Sequence, residues 1–244
     1  MTSNEAGIID AWVTLDTPLK PGTATALLSS EGRDQARAKV HVVSQEPSTG
    51  VVCDIDDTAW VTGMSHPGRA AWRTLRGSSS TRKMVPGMAR LLQTAVGHQN
   101  GPGVVYLSNG PWNFVGPVTR FLERNDFPAG AVLLTDWGIT PRRLFRDGQE
   151  HKSSSLARLL KVLPNITWVL VGDDGEHDPG LYQDLAETHP DRVAAIALRR
   201  VQPSGSTKQN GSSETVNGVH VLRGSDGDVL LPLLRDALRD RPTN

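Results

Sequence analysis

The sequence has one cysteine, no long apolar run and no excess of either charge. A single cysteine, Cys53, excludes an internal disulfide framework and a structural zinc site built on cysteines. Basic and acidic residues number 26 each, so we expect no basic field for non-specific nucleic-acid binding. No segment approaches the roughly 18–20 apolar residues of a transmembrane helix. The first residues lack the charged and apolar regions of a signal peptide, and a chain without disulfides is most simply cytoplasmic.

The remaining composition suits a folded protein with a packed core, and the pattern along the chain predicts an α/β fold. With 244 residues, 37% of them hydrophobic, the chain can form one large domain with a small appendage. Residues 1–50 are predicted to be a short β-rich module, because 36–42 alternate apolar and polar side chains. Residues 51–201 alternate short apolar runs with helical patterns, which predicts βαβ units around a buried parallel sheet.

Two further segments depart from this alternation. Residues 59–84 follow the first strand, contain Trp60 and Trp72, and are predicted to form a flap or small cap. Residues 202–217 are polar and rich in glycine and serine, so a mobile loop is expected there. Residues 218–244 then predict a C-terminal strand and helix.

The strongest chemical signal is an acidic cluster at the end of the first core strand. The apolar strand predicted at 51–55 ends in a group of three carboxylates, Asp54, Asp56 and Asp57. Asp54 and Asp56 are two residues apart, so a continuing strand would direct both to one side. Two adjacent carboxylates repel each other, and a hard divalent cation such as Mg²⁺ would relieve that repulsion. The same residues would also suit an acidic turn or a helix N-cap.

Further polar residues follow later predicted strands and are expected at the same edge of the sheet. Ser108 and Asn109 follow one strand and would suit either a phosphate oxygen or an ordinary turn. Asp173 follows another strand, and Asp178 precedes Pro179, where it could also cap a helix. Lys152 is predicted to begin a helix, and the strand that follows this helix ends near Asp173. Parallel topology therefore places Lys152 and Asp173 at the same carboxyl edge of the sheet. A cation there would suit a phosphoryl anion, although a lysine at a helix start is often a solvated surface residue.

The order of these motifs resembles that of the haloacid-dehalogenase (HAD) phosphohydrolases. More closely, the chain resembles the catalytic domain of the actin-patch-protein type of phosphatidate phosphatase over about residues 50–201. The segments that carry the resemblance are DIDDT at 54–58, PGM at 86–88, YLSNGPWN at 106–113, LLTDWG at 133–138, HK at 151–152 and GDDGEHD at 172–178. The resemblance implies a HAD-like, doubly wound parallel sheet with a small cap and a short N-terminal β appendage.

The resemblance also implies a role for each matching residue. Asp54 would be the nucleophile and form an aspartyl-phosphate, while Asp56 would be the general acid and base. Ser108, Asn109 and Lys152 would bind the phosphate. Mg²⁺ would be bound by the carboxylates of Asp54 and Asp173 and by the backbone carbonyl of Asp56. Asp178 would orient the metal site, and Thr58 would brace the loop. No step is assigned to Trp112, Asp136, His151, Asp174 or His177, and Cys53 is expected to pack in the core.

We therefore expect a Mg²⁺-dependent phosphomonoester hydrolase that resembles phosphatidate phosphatase and acts in the cytoplasm or peripherally at a membrane surface. Trp60 and Trp72 are hypothesised to face the lipid part of the substrate, or else to pack the flap onto the domain. The basic stretch 142–146 suits lipid headgroups or a solvated loop. The alternatives are a phosphatase for a soluble phosphoester and a non-catalytic binding module. The sequence does not indicate an oligomeric state.

Overall fold

The structure, a computed structural model, describes residues 2–3, 7–29, 35–61, 82–96, 103–135, 144–175, 178–201 and 211–241. Their nine strands are β1 Gly22–Leu28, β2 Ala36–Val42, β3 Ser48–Asp54, β4 Val104–Pro111, β5 Gly130–Thr135, β6 Ile166–Asp173, β7 Val193–Arg199, β8 Ser212–Val216 and β9 Val219–Gly224. The five α-helices of these residues are α1 Met88–Val96, α2 Val115–Arg124, α3 Leu144–Val162, α4 Asp178–Thr188 and α5 Gly227–Arg239.

Seven strands form one central sheet in the order β5-β4-β3-β6-β7-β9-β8. All neighbouring pairs are parallel except β8 and β9. The central strands are buried on both faces, which explains their nearly continuous apolar sequences. One apolar cluster fills each face, and Val51 and Val52 of β3 belong to opposite clusters. The expected α/β architecture is confirmed, as is a short antiparallel N-terminal sheet, formed by β1 and β2.

The strand order determines where a ligand can bind. From β3 the chain continues to β4 and β5 on one side, whereas β6, β7 and β9 lie on the other. Residue Val51 pairs with Val104 of β4 and with Val169 of β6, so the three strands run in close register. In open parallel sheets, ligands bind beyond the carboxyl ends of the strands where the order reverses. That point is the end of β3, at Asp54.

Two parts of the structure differ from the sequence prediction. The prediction of a loop over 202–217 is wrong for Ser212–Val216, which form β8 at the edge of the sheet. Asn217 and Gly218 both have positive φ, of 50° and 81°, and join β8 to β9 as a two-residue hairpin turn. In addition, β9 pairs with β7, so the predicted C-terminal extension belongs to the central sheet. Residues 202–210 lie outside the described part of the chain.

The ends of the predicted flap come together beside the first core strand. Val61 N donates to Lys83 O and Val85 N to Ala59 O, and Trp60 forms an isolated bridge with Met84. The segment therefore begins and ends at one place, next to the acidic cluster. Residues 62–81, which include Trp72, are outside the described residues.

Candidate active site

The loop after β3 turns sharply and is held from two sides. Asp57 has a φ of 51°, a left-handed conformation that aspartate tolerates better than most side chains. The amides of Ala59 and Trp60 both donate to the carbonyl of Ile55. On the other side, the guanidinium of Arg199, at the end of β7, donates to the carbonyl of Asp57. Arg199 was not predicted from the sequence, because nothing in its own strand indicates which loop it contacts.

Lys152 joins two carboxylates at this edge of the sheet. Its Nζ donates to Asp54 Oδ1 at 2.7 Å and to Asp178 Oδ1 at 2.6 Å. Lys152 is 3% exposed, Asp54 1% and Asp178 fully buried. Buried charges of this kind are stable only when they are paired, so the three side chains fix one another. Lys152 is therefore not the solvated surface residue that its sequence position also allowed.

Three buried carboxylates form a cluster that could bind a metal ion. Asp54, Asp173 and Asp178 each offer an oxygen, and these oxygens lie within 4.8 Å of one another. Asp173 is held in place by the amide of Gly175, which donates to its Oδ1 at 2.6 Å. Asp178 Oδ2 is buried without a hydrogen-bond partner among the described residues. An all-oxygen, acidic donor set of this kind fits a hard divalent cation such as Mg²⁺.

The carboxylate of Asp56 lies in a different setting from that of Asp54. Ser108 Oγ donates to its Oδ2 at 2.9 Å, and the indole Nε1 of Trp60 donates to its Oδ1 at 3.0 Å. Burial raises the pKa of Asp56, while the hydrogen bonds from Trp60 and Ser108 and the charges of Lys152 and Arg82 oppose that rise. A raised pKa favours the protonated form of a carboxyl group and so suits it to hold a proton.

Ser108 also accepts a hydrogen bond from the backbone. The amide of Gly110 donates to its Oγ at 3.0 Å, and Ser108 is fully buried. Next to it, the carbonyl of Asn109 accepts from Thr135 Oγ1 at 3.0 Å, which ties β4 to β5. Thr58 is also fully buried, and its hydroxyl has no hydrogen-bond partner within the described part of the chain.

The structure brings some of the unassigned residues close to the site. Asp174 Oδ1 accepts from Val201 N at 2.7 Å and so joins the ends of β6 and β7. His151 precedes Lys152 on α3, and burial lowers the pKa of its imidazole. Cys53 is fully buried in the core, where burial raises the pKa of its thiol. Asp136 and His177 are outside the described residues.

Trp60 does not lie over the mouth of the site. Its side chain is fully buried and packs edge-on against Phe121, with ring centroids 5.0 Å apart. The hypothesis that Trp60 faces the lipid part of a substrate is therefore wrong. The sequence could not distinguish the two orientations, because both place a large apolar side chain beside the loop after β3.

Fold and site together define a parallel α/β domain with a buried, lysine-bridged acidic site where the strand order of its sheet reverses. None of the described helices has the length and apolar character needed to cross a membrane. The chain belongs to the family described as "Phosphatidate phosphatase APP1, catalytic domain", whose sequence profile matches residues 49–200.

Two fungal relatives show the extent of the similarity. Phosphatidate phosphatase APP1 of Saccharomyces cerevisiae is 27% identical over 173 residues, which are 70% of this chain and 29% of the yeast protein. An uncharacterized protein of Schizosaccharomyces pombe is 24% identical over 174 residues, 68% of this chain and 28% of the relative. The similarity thus spans under a third of the length of either relative.

Proposed function

We propose that this protein is a phosphomonoester hydrolase of the phosphatidate phosphatase type, with Asp54 as its nucleophile. The observation that carries the proposal is the pairing of Asp54 with Lys152 beside a second carboxylate, Asp56, whose pKa is raised by burial. A non-catalytic binding module would have no need for these buried charges, each of which is costly to desolvate. Family membership supports the same reaction.

The positions of the side chains support a two-step reaction. In the first step an oxygen of Asp54 forms a bond to phosphorus, the bond from phosphorus to the leaving oxygen breaks, and Asp56 gives its proton to that oxygen. In the second step Asp56 takes a proton from water, the water oxygen bonds to phosphorus, and the bond to Asp54 breaks. Lys152 and the hydroxyl of Ser108 hold phosphoryl oxygens throughout, and Lys152 neutralises charge that builds up beside Asp54.

Mg²⁺ fits the carboxylate cluster and, when bound, would polarise the phosphoryl group and offset its negative charge. The carboxylates of Asp54 and Asp173 and the backbone carbonyl of Asp56 would hold it. Asp178, which Lys152 already orients, borders the same position. The Asp56 carboxylate is engaged by Ser108 and Trp60, which leaves it to proton transfer.

The substrate class that the family supports best is phosphatidate, reached at the surface of a membrane on the cytoplasmic side. The yeast relative is named as a phosphatidate phosphatase, and the family takes its description from the same activity. A soluble phosphomonoester is the second candidate. It is favoured by the burial of Trp60, which removes one sequence-based reason to expect a lipid-binding flap.

Phosphate release from the purified protein tests this proposal. The substrates are phosphatidate in mixed micelles, glycerol phosphate and para-nitrophenyl phosphate, each assayed with Mg²⁺ and with EDTA. We expect hydrolysis with Mg²⁺, loss of activity in EDTA, and an increased Mg²⁺ requirement in Asp173→Ala. Asp54→Asn should be inactive, whereas Asp236→Asn, a change at an exposed aspartate of α5, should retain activity. No hydrolysis of any phosphomonoester by the wild-type protein would contradict the proposal.

A further inference from the structure

Among the described residues, two side chains donate hydrogen bonds to the carboxylate of Asp56, and they differ in what else they can do. The first, Ser108, is itself expected to bind phosphate, whereas the second, Trp60, has no such task. We propose that Trp60 is a positioning residue for Asp56: its indole N–H anchors Oδ1 and keeps Oδ2 directed at the leaving oxygen. This inference rests on the proposed function, because it assigns a role within the same reaction.

The indole of Trp60 is fixed in its orientation by contacts on several sides. Phe121 meets the ring edge-to-face at an interplanar angle of 71°, and the Arg82 guanidinium carbon lies 3.7 Å from the ring centroid. The Trp60 amide donates to Ile55 O, and Trp60 bridges to Met84. A buried ring held by an aromatic edge and a cation has little freedom to rotate, so its N–H is a fixed donor.

The bond from Ser108 to Asp56 competes with phosphate binding. A serine hydroxyl has one hydrogen, and here it is donated to Asp56 Oδ2. Once Ser108 donates that hydrogen to a phosphoryl oxygen, Oδ2 of Asp56 loses its donor. Within the described part of the chain, the side-chain hydrogen-bond donor that remains is then Trp60, whose indole N–H is a donor only and has no phosphate to bind.

This division of tasks determines which oxygen of Asp56 carries the proton. Oδ1 accepts from Trp60 and so remains the unprotonated oxygen of the carboxyl group. Oδ2 is released as phosphate binds and is available to carry the proton to the leaving oxygen. Without Trp60, the carboxyl group could rotate about its Cβ–Cγ bond, and proton transfer would lose the geometry on which it depends.

Substrates that differ in their need for a proton provide the test. Trp60→Phe removes the N–H and keeps an aromatic ring. We expect the rate of the first step, measured in a single turnover, to fall about tenfold to a hundredfold on phosphatidate and on glycerol phosphate, with substrate affinity nearly unchanged. The loss of this rate should be much smaller on para-nitrophenyl phosphate, followed as the initial burst of para-nitrophenol, because that leaving group departs as a stable anion. Equal losses of the first-step rate on all three substrates would overturn the proposal, and a loss confined to phosphatidate would instead indicate lipid binding.

Trp168→Phe is the matched control. Trp168 lies on β6, is 1% exposed, and its Nε1 has no hydrogen-bond partner among the described residues. This variant removes an equally buried indole away from Asp56, so its first-step rate should be equal on all substrates to that of the wild-type protein. Should Trp60→Phe fail to fold, Phe121→Leu keeps the N–H but loosens the ring, and should give the same ranking of substrates with smaller losses.

A spectroscopic readout separates this proposal from the proposed function. Trp60→Phe identifies the indole N–H resonance of Trp60 in the NMR spectrum of the protein. That resonance should move upfield in Asp56→Ala, because a hydrogen bond to a carboxylate is lost, and an unmoved resonance would overturn the contact. If the wild-type protein hydrolyses no phosphomonoester, the proposed function fails, and this shift still decides whether Trp60 holds Asp56.

Discussion

Replacing Lys152 with methionine should destabilise the protein more than any surface substitution. The variant keeps a long side chain but removes the cation that lies 2.7 Å from Asp54 and 2.6 Å from Asp178. Removing one partner of a buried ion pair typically costs about 3–5 kcal/mol, because the remaining charge stays buried without compensation. Here two carboxylates lose the same partner, so we expect a loss in the upper part of that range.

The expected loss is large compared with the stability of an ordinary domain. Native proteins are stable by about 5–15 kcal/mol, so the variant would lose a third or more of a typical value. For a chain of this length each kcal/mol lowers the melting temperature by about 2–4 °C. Lys152→Met should therefore melt roughly 10–20 °C below the wild-type protein.

Urea unfolding followed by circular dichroism measures this effect. The experiment is done in EDTA, so that no divalent cation replaces the lysine. Lys161→Met, at an exposed position of the same helix, should stay within about 0.5 kcal/mol of the wild-type protein. The double variant Lys152→Met/Asp178→Asn should regain part of the loss, since one buried charge is gone. If Lys152→Met unfolds at the wild-type urea concentration, the ion pairs do not carry the stability assigned to them.

Three further predictions follow from the same geometry. Asp56→Asn should abolish hydrolysis of alkyl phosphates but raise the melting temperature in EDTA at neutral pH. Burial raises the pKa of Asp56, so its ionised form is penalised in the folded state. The gain in melting temperature should therefore shrink as the pH falls toward the ordinary pKa of aspartate. A gain that is independent of pH would contradict this prediction. Gly172→Ala should lower kcat, because its Cβ would lie 2.6 Å from Asp178 Oδ2, whereas Gly180→Ala, in open space on α4, should leave kcat unchanged. Arg199→Met should lower kcat and the melting temperature together, since the Asp57 carbonyl loses its donor; unchanged kinetics would show that the loop needs no such support.

Much of the candidate site could be predicted because parallel topology brings distant residues to one edge. Asp54 and Asp173 are the last residues of β3 and β6, as the sequence predicted. The expectation that Lys152 begins a helix is wrong, because α3 starts at Leu144 and Lys152 lies in its middle. Lys152 nevertheless reaches the carboxyl edge of the sheet, where it contacts Asp54. The apolar runs predicted the core strands for the same reason, since strands buried on both faces need apolar residues at nearly every position.

The parts that the sequence did not predict depend on side-chain direction and on local turn chemistry. Trp60 is an apolar residue beside the site in either orientation, and tertiary packing against Phe121 decides that it points inward. The contact of Arg199 with Asp57 joins residues 142 positions apart and has no local pattern. The strand β8 had a signal, the Asn217-Gly218 pair typical of a two-residue hairpin, but the polar sequence before it favoured a loop.

Nucleophilic attack by an oxygen of Asp54 on phosphorus is the central step of the proposed reaction. The decisive measurement is acid quenching of the protein during turnover, followed by mass spectrometry of its peptides. We expect a phosphoryl group on Asp54 in the wild-type protein and none in Asp54→Asn. Steady release of phosphate without any phosphorylated Asp54 peptide, or full activity of Asp54→Asn, would contradict it.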